Sequence, residues 1–184
     1  DQGPGLEAED CALRAFRSRP AQVLFRAAGA RFPGHGGTNA MHPRRDALAA
    51  AAEMVPAIER IGKSGADDLV ATVGRMDVRP GVPNVVPGDV VFSIDIRAGT
   101  NAGRNHAAQA VRAALSQIAS RRQVALSLEL QQDLEATPCD PGLTRLMERA
   151  VQTATGATPR TLVSGAGHDA MVMAHLAPVS MLFI

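Results

Sequence analysis

The stretch GHGGTNAMHPRRDAL, residues 34–48, places a single imidazole among three glycines, just ahead of a helical pattern. Glycines on both sides of His35 allow a backbone or a ligand to come close to the ring. A ring held there could donate a hydrogen bond to a developing oxyanion. A lone turn histidine is more often solvated or locally bonded, and the residues alone leave both interpretations open.

A second histidine has a comparable setting in SGAGHDAM, residues 164–171. A glycine-rich turn that enters a helix offers free backbone N–H groups and the positive end of a helix dipole, which suit an anion. His168 would stand at that site, with Asp169 as the helix cap. The commoner alternative is a plain turn in which His168 bonds a carbonyl. The glycines do not flank Ser164 as the GxSxG nucleophile motif requires.

Two further polar residues are candidates for ligand binding. Arg97 projects from the strand pattern DVVFSIDIR on the side opposite Phe92 and Ile94, so its planar fork could bind a carboxylate. Pairing with nearby Asp95 explains Arg97 equally well. Asn84 lies in the turn-rich segment GVPNVVPG, where it is either a turn residue or an amide donor to a ligand.

The elements that must position these residues read α-β-β-α-β over 43–131. Apolar spacing predicts a helix over 43–61, with Asp46 at its start and Pro56 as a kink, and a second helix over 102–120. Strand alternation places four residues of DVVFSIDIR on one face and four residues of QVALSLELQ likewise. These are Val90, Phe92, Ile94 and Ile96, and Val124, Leu126, Leu128 and Leu130. One more strand in front would complete a ferredoxin-like sandwich, an antiparallel sheet with two helices on one face.

The sequence pattern for that first strand is weak. Residues 11–33 are rich in alanine and arginine and show neither clean alternation nor a helical stripe, so only 22–26 predict a short strand. A pair of compensating frameshifts in a GC-rich gene is one hypothesis for this composition. Beyond the sandwich, Asp140, Pro141 and Gly156 bound a helix with an apolar stripe, and the segment after it predicts strand, turn, short helix and strand. The stripe comprises Leu143, Leu146, Met147, Ala150, Val151 and Ala154.

Composition excludes several classes of protein. The 184 residues carry a net charge of +1, no Trp or Tyr and five Phe, so the basic stripe and stacking aromatics of a nucleic-acid binder are missing. No apolar run is long enough for a membrane span, and the acidic start does not read as a signal peptide. With two cysteines and no metal-ligand spacing between them, we expect a cytoplasmic chain that binds neither nucleic acid nor membrane.

Four motifs together resemble one family of enzymes. DQGPGLEAE (1–9), GHGGTNAMHPRRDALAAAAEM (34–54), RPGVPNVVPGDVVFSIDIR (79–97) and SGAGHDAMVMA (164–174) are similar, in order and spacing, to the zinc-dependent N-carbamoyl-L-amino acid hydrolases, allantoate amidohydrolases and β-ureidopropionases. The resemblance implies a two-metal catalytic domain interrupted by a ferredoxin-like lid that dimerises the protein. It therefore predicts a C–N hydrolase of ureido substrates whose intact form holds two zinc ions.

The same resemblance implies a role for each candidate residue. His35 would reach across to the partner's site and polarise the substrate carbonyl, Arg97 would bind the substrate carboxylate, and Asn84 would hold the substrate. His168, Gly167 and Gln2 would line the same pocket. The family's metal ligands and glutamate base match no position in this chain, so the metal would be held outside it.

The resemblance also implies a domain division: 1–10 as catalytic-domain remnant, 11–131 as lid, and 132–184 as a truncated C-terminal part of an α/β catalytic domain. Two alternatives stay open. The chain could be a catalytically inert dimerisation module or decayed fragment, which we expect of the 184 residues alone, or part of a peptidase or aminoacylase of the same superfamily.

Overall fold

The structure is a computed structural model that describes residues 14–18, 21–30, 34–42, 44–164 and 168–183. Its contacts divide the chain into two compact units. The sandwich unit consists of the described parts of 22–97 and 102–134, and the terminal unit of those of 1–21, 98–101 and 135–184. The elements in chain order are β1 (Arg14–Ser18), β2 (Ala21–Ala30), β3 (Gly34–His35), α1 (Ala47–Ser64), β4 (Val70–Thr72), β5 (Met76–Arg79), β6 (Val85–Val86), β7 (Asp89–Ala98), α2 (Asn101–Arg122), β8 (Ser127–Leu134), α3 (Pro141–Thr155), β9 (Arg160–Val163), α4 (Ala170–Met173) and β10 (Leu182–Phe183).

The sandwich unit has the predicted ferredoxin-like architecture. Its sheet runs in the order β4-β7-β2-β8, with β5 also paired to β7. The pairs β2–β8, β4–β7 and β5–β7 are antiparallel. β2, the first strand of the sandwich, therefore lies inside the sheet between β7 and β8, as the β-α-β-β-α-β order requires.

The first strand is longer than the sequence pattern indicates. We expected 22–26, whereas β2 covers Ala21–Ala30 and pairs with β8 from Gln22↔Leu134 to Ala28↔Ser127. A strand with a neighbour on each edge gains backbone hydrogen bonds on both sides, and that tertiary context overrides weak local preference. Leu24 faces Gln132 while Phe25 faces Leu130, so Gln131 is an extra residue that forms a bulge in β8.

One apolar core joins α1, α2 and the inner face of β7. The predicted alternation of β7 is confirmed, since Val90, Phe92, Ile94 and Ile96 are at most 2% exposed. The prediction for β8 is wrong at Leu130, which is 49% exposed although Leu128 packs against the core. β8 is the edge strand, and its bulge begins next to Leu130, where the inward-outward alternation ends.

The first helix begins later than expected, at residue 47 rather than 43. Asp46 is its N-cap, and its carboxylate accepts hydrogen bonds from the N–H groups of Leu48 (2.9 Å) and Ala49 (3.0 Å). These bonds satisfy two of the donors that a helix start leaves free. Pro56 lies inside the helix without ending it.

Charged side chains of α2 contact β8 and α1, which the apolar pattern of the sequence did not predict. Arg104 is 4% exposed, donates from Nη1 to the Leu134 carbonyl at 2.6 Å, and forms an ion pair with Asp133. At the other end of α2, Arg121 and Arg122 both contact the carboxylate of Glu53 on α1. Ion pairs thus join α2 to β8 and to α1.

The terminal unit contains a three-stranded sheet in the order β10-β1-β9. β1 pairs parallel with β9 and antiparallel with β10, so the sheet is mixed. α3 has the predicted ends: the Asp140 carboxylate accepts from the Leu143 N–H at 2.8 Å, and Gly156 closes the helix at φ 73°. Two residues of its apolar stripe, Leu143 and Leu146, are 37% and 54% exposed. The buried residues of α3 are Thr144 and Val151.

The helices of the described chain do not include a membrane-spanning candidate. None of them combines the length with the sustained apolar character that a bilayer crossing requires.

Candidate functional site

A small two-stranded sheet in the sandwich unit brings two of the predicted site residues together. β3 pairs antiparallel with β6, with His35 opposite Val85. The next N–H along the chain, that of Gly36, donates to the Asn84 carbonyl at 2.7 Å. His35 and Asn84 are both exposed, and their backbones lie next to each other at this strand pair.

The glycines around His35 are explained by these close approaches. A Cβ on Gly36 would lie 3.1 Å from the Asn84 carbonyl oxygen. A Cβ on Gly37 would lie 3.3 Å from Cε1 of the His35 ring. The first would crowd the backbone contact between the two strands, and the second would crowd the imidazole itself.

The turn that follows His35 folds back onto it. The N–H groups of Thr38 and Asn39 donate to the His35 carbonyl at 3.3 Å and 3.1 Å. The Gly37 N–H donates to His35 Nδ1 at 3.2 Å. The imidazole is thus hydrogen-bonded within its own turn, as the locally bonded interpretation predicts, and the residue is also exposed.

Arg97 lies in β7, in a different sheet from the β3–β6 pair that carries His35. Its side chain is 29% exposed, and its Nε and Nη2 donate to the carboxylate of Asp95 at 3.1 Å and 2.7 Å. The near-neighbour pairing that the sequence left open is therefore present. It orients the guanidinium, and a substrate carboxylate at Arg97 would have to share that cation with Asp95.

His168 belongs to the terminal unit. Its Nε2 lies 3.0 Å from the hydroxyl of Ser164, which is 5% exposed. His168 thus has a buried hydroxyl as a hydrogen-bond partner. Asp169 occupies the N-cap position of α4 in helical conformation, but its side chain makes no capping hydrogen bond there. Gly167 and Gln2 lie outside the described residues.

The residues that the structure describes do not provide the ligand set of a metal site. No group of three or more His, Cys, Asp or Glu side chains there is arranged to hold an ion. Zinc in structural and catalytic sites takes three or four such ligands. No metal-dependent step is therefore assigned to the described residues.

Sequence reasoning missed Arg44, which reaches back to the histidine turn. Its Nη2 donates to the carbonyls of Gly36 at 2.7 Å and Asn39 at 2.8 Å. Arginines that precede a helix are usually solvated. The available signal was the position of Arg44 shortly after a glycine-rich turn, whose carbonyls need hydrogen-bond donors.

Solved structures that resemble this chain include amidases. An amidase of the hydantoinase/carbamoylase family from Burkholderia multivorans superposes with a TM-score of 0.93 at 34% identity, over 100% of this chain and 44% of that one. A structure described as AtUAH in complex with glyoxylate superposes with a TM-score of 0.88 at 29% identity, over the same shares of the two chains. No family model matches the chain.

Relatives by sequence have more particular names. Allantoate deiminase of Arabidopsis thaliana is 33% identical over 100% of this chain, which covers 40% of that protein. N-carbamoyl-L-amino-acid amidohydrolase of Paenarthrobacter aurescens is 34% identical over 100% of this chain and 44% of its own length. The resemblance drawn from the motifs is confirmed. The chain spans less than half the length of these relatives, which are named as hydrolases of C–N bonds.

Proposed function

We propose that this chain is the substrate-holding segment of an amidohydrolase that cleaves a C–N bond of allantoate or an N-carbamoyl-L-amino acid. The observation that carries the proposal is the juxtaposition of His35 and Asn84 on the β3–β6 pair. An exposed imidazole N–H and an exposed carboxamide, carried at adjacent backbone positions, are donors suited to the carbonyl oxygen of a ureido group.

His35 is the group to which we assign stabilisation of the oxyanion. As water adds to the ureido carbon, negative charge develops on the carbonyl oxygen, and a donor already in place stabilises the transition state more than the ground state. The ring is exposed and anchored through Nδ1. The other ring nitrogen, Nε2, is the one we assign to the substrate, in the site of the partner subunit.

Arg97 is assigned to the substrate carboxylate, with Asn84, His168, Gly167 and Gln2 lining the pocket. Asp95 holds the Arg97 fork in a fixed orientation. The structures described as AtUAH complexes contain glyoxylate and (S)-hydroxyglycine, both small carboxylates. A planar guanidinium binds such a group bidentately, which an ammonium cannot do.

The division of labour in the intact protein is part of the same proposal. The sandwich unit acts as a lid that also forms a homodimer, and the terminal unit belongs to the catalytic domain. Two zinc ions would be held by residues outside this chain. We also propose a cytoplasmic location, as expected of a chain with two cysteines.

The test uses the protein expressed from its own gene, assayed for hydrolysis of allantoate and N-carbamoyl-L-amino acids. We expect His35→Ala to lower kcat by roughly 10²- to 10³-fold, as removal of one oxyanion donor typically does. His106→Ala is the matched control, an exposed histidine of α2, and should leave kcat unchanged. Arg97→Lys should raise KM for the carboxylate substrates.

An unchanged rate for His35→Ala would remove His35 from the mechanism. Lack of turnover of either substrate by folded, metal-loaded wild-type protein would favour the inert dimerisation module. Cleavage of N-acyl amino acids or peptides instead would favour the aminoacylase or peptidase alternative.

A further inference from the structure

Arg44 holds the turn that carries the His35 ring. Its Nη2 bridges the carbonyls of Gly36 and Asn39, which lie on either side of Gly37 and Thr38. Both bonds are short, at 2.7 Å and 2.8 Å, and both have a charged donor, so they are stronger than bonds between neutral groups. The side chain is half-buried, so solvent competes for it less than for an exposed arginine.

The same turn determines which ring nitrogen of His35 carries the proton. The Gly37 N–H donates to Nδ1, so Nδ1 of the neutral imidazole must be the unprotonated acceptor. The proton is then on Nε2. The bond made by one ring nitrogen sets the chemistry of the other.

We propose that Arg44 is a positioning residue: by fixing the 36–39 turn it keeps the Gly37 N–H on Nδ1 and so presents Nε2–H of His35 as a hydrogen-bond donor. The consequence for catalysis rests on the proposed function of His35. The link between Arg44 and the ring tautomer does not, because it concerns bonds within this chain.

Two features separate Arg44 from its neighbour. Arg45 is exposed and its Nε donates to the side chain of Gln123, at the end of α2. Arg44 donates to backbone carbonyls of the histidine turn. Adjacent arginines of equal charge thus serve different contacts, and Arg45→Gln is a matched control for Arg44.

The first experiment is spectroscopic and needs no activity. Nitrogen-15 NMR of the histidine side chains, at a pH where the His35 ring is neutral, distinguishes protonated from unprotonated ring nitrogens. Wild type and Arg45→Gln should show Nδ1 unprotonated and Nε2 protonated. Arg44→Met, which keeps the apolar stem and removes the donors, should shift both nitrogens towards averaged values. Arg44→Gln serves in its place should the methionine variant fail to fold.

The second experiment is a double-mutant cycle in the protein expressed from its own gene. We expect Arg44→Met to lower kcat by roughly tenfold to a hundredfold with a small change in KM, since misplacement of a catalytic group by about 1 Å costs that much. In the His35→Ala background the same substitution should cost nothing further, because residues that act as a unit are not additive.

A wild-type tautomer in the folded Arg44 variant would overturn the proposal, as would an equal loss of kcat in the presence and absence of His35. Should His35→Ala alone leave kcat unchanged, the proposed function fails. The spectroscopic result then still decides whether Arg44 governs the ring.

Discussion

The sandwich unit and the terminal unit differ in where their apolar helix residues lie. In the sandwich unit Leu115 of α2 is 0% exposed and belongs to a core shared with α1 and β7. In the terminal unit Leu146 of α3 is 54% exposed, although Val151 of the same helix is buried. Within the described residues, the sandwich buries the apolar stripes of its helices, whereas the stripe of α3 is buried only in part. Similar helical stripes in sequence thus correspond to different environments.

The largest expected effect is a contrast between two leucines in helices. Leu115→Ala should lower the free energy of unfolding by about 2–5 kcal/mol, because it removes buried methyl groups and leaves a cavity. Leu146→Ala should change it by about 0.5 kcal/mol or less, since half of that side chain is already in water. Urea unfolding of both variants measures the difference. Equal losses would show that α3 is covered in solution.

The two aspartates at helix starts sharpen the comparison on a smaller scale. Asp46→Ala should cost about 1 kcal/mol, because two N–H groups of α1 lose their acceptor. Asp169→Ala is the control: it stands at the N-cap position of α4 without a capping bond, and should cost about 0.5 kcal/mol or less. Thermal unfolding followed by circular dichroism compares them. A larger loss at Asp169 would contradict this assignment of the caps.

The smallest expected effect is a pH dependence within the sandwich unit. The hydrogen bond from Arg122, with the charge of Arg121, lowers the pKa of Glu53 below its ordinary value. A lowered carboxyl pKa contributes stability that is present above the unfolded value, about 4.3, and is lost as pH falls through the folded pKa. Wild type should therefore exceed Glu53→Gln in stability at pH 7, and the gap should narrow as the pH falls below about 4.

Denaturant unfolding of both proteins across that range tests this prediction. Salt should also narrow the gap at pH 7, because these partly exposed charges are screened. A gap that is independent of pH would mean that the ion pair between α1 and α2 contributes nothing to stability.

Local signals predicted much of the fold. The alternation of Val90, Phe92, Ile94 and Ile96 located a buried strand face, and Asp140 with Gly156 located both ends of α3, because each signal acts through neighbours in sequence. The extent of β2 and the exposure of Leu130 escaped prediction. Both depend on partners across the sheet and on a bulge, which no periodicity within one segment encodes.

The candidate site divides in the same way. Glycines beside His35 and a turn around Asn84 marked both as special, but the two-residue strands that bring them together are too short to show a period. The roles assigned to His35, Asn84, Arg97 and His168 stay predictions from resemblance. Arg44 was missed because its partners are backbone carbonyls, and a carbonyl carries no residue-type signal. Arg104 was missed because Asp133 and the Leu134 carbonyl lie far along the chain, in β8.

The side chain of Asn101 accepts a hydrogen bond from the Ala136 N–H at 2.7 Å, across 35 residues of sequence. Within the sandwich unit, Arg104 holds the Leu134 carbonyl across 30 residues. The segment between them, which contains most of α2 and β8, is therefore held together by hydrogen bonds at its two ends. Because these bonds already bring the two ends together, packing β8 against α2 closes only the short connection 123–126 in addition, at modest entropic cost.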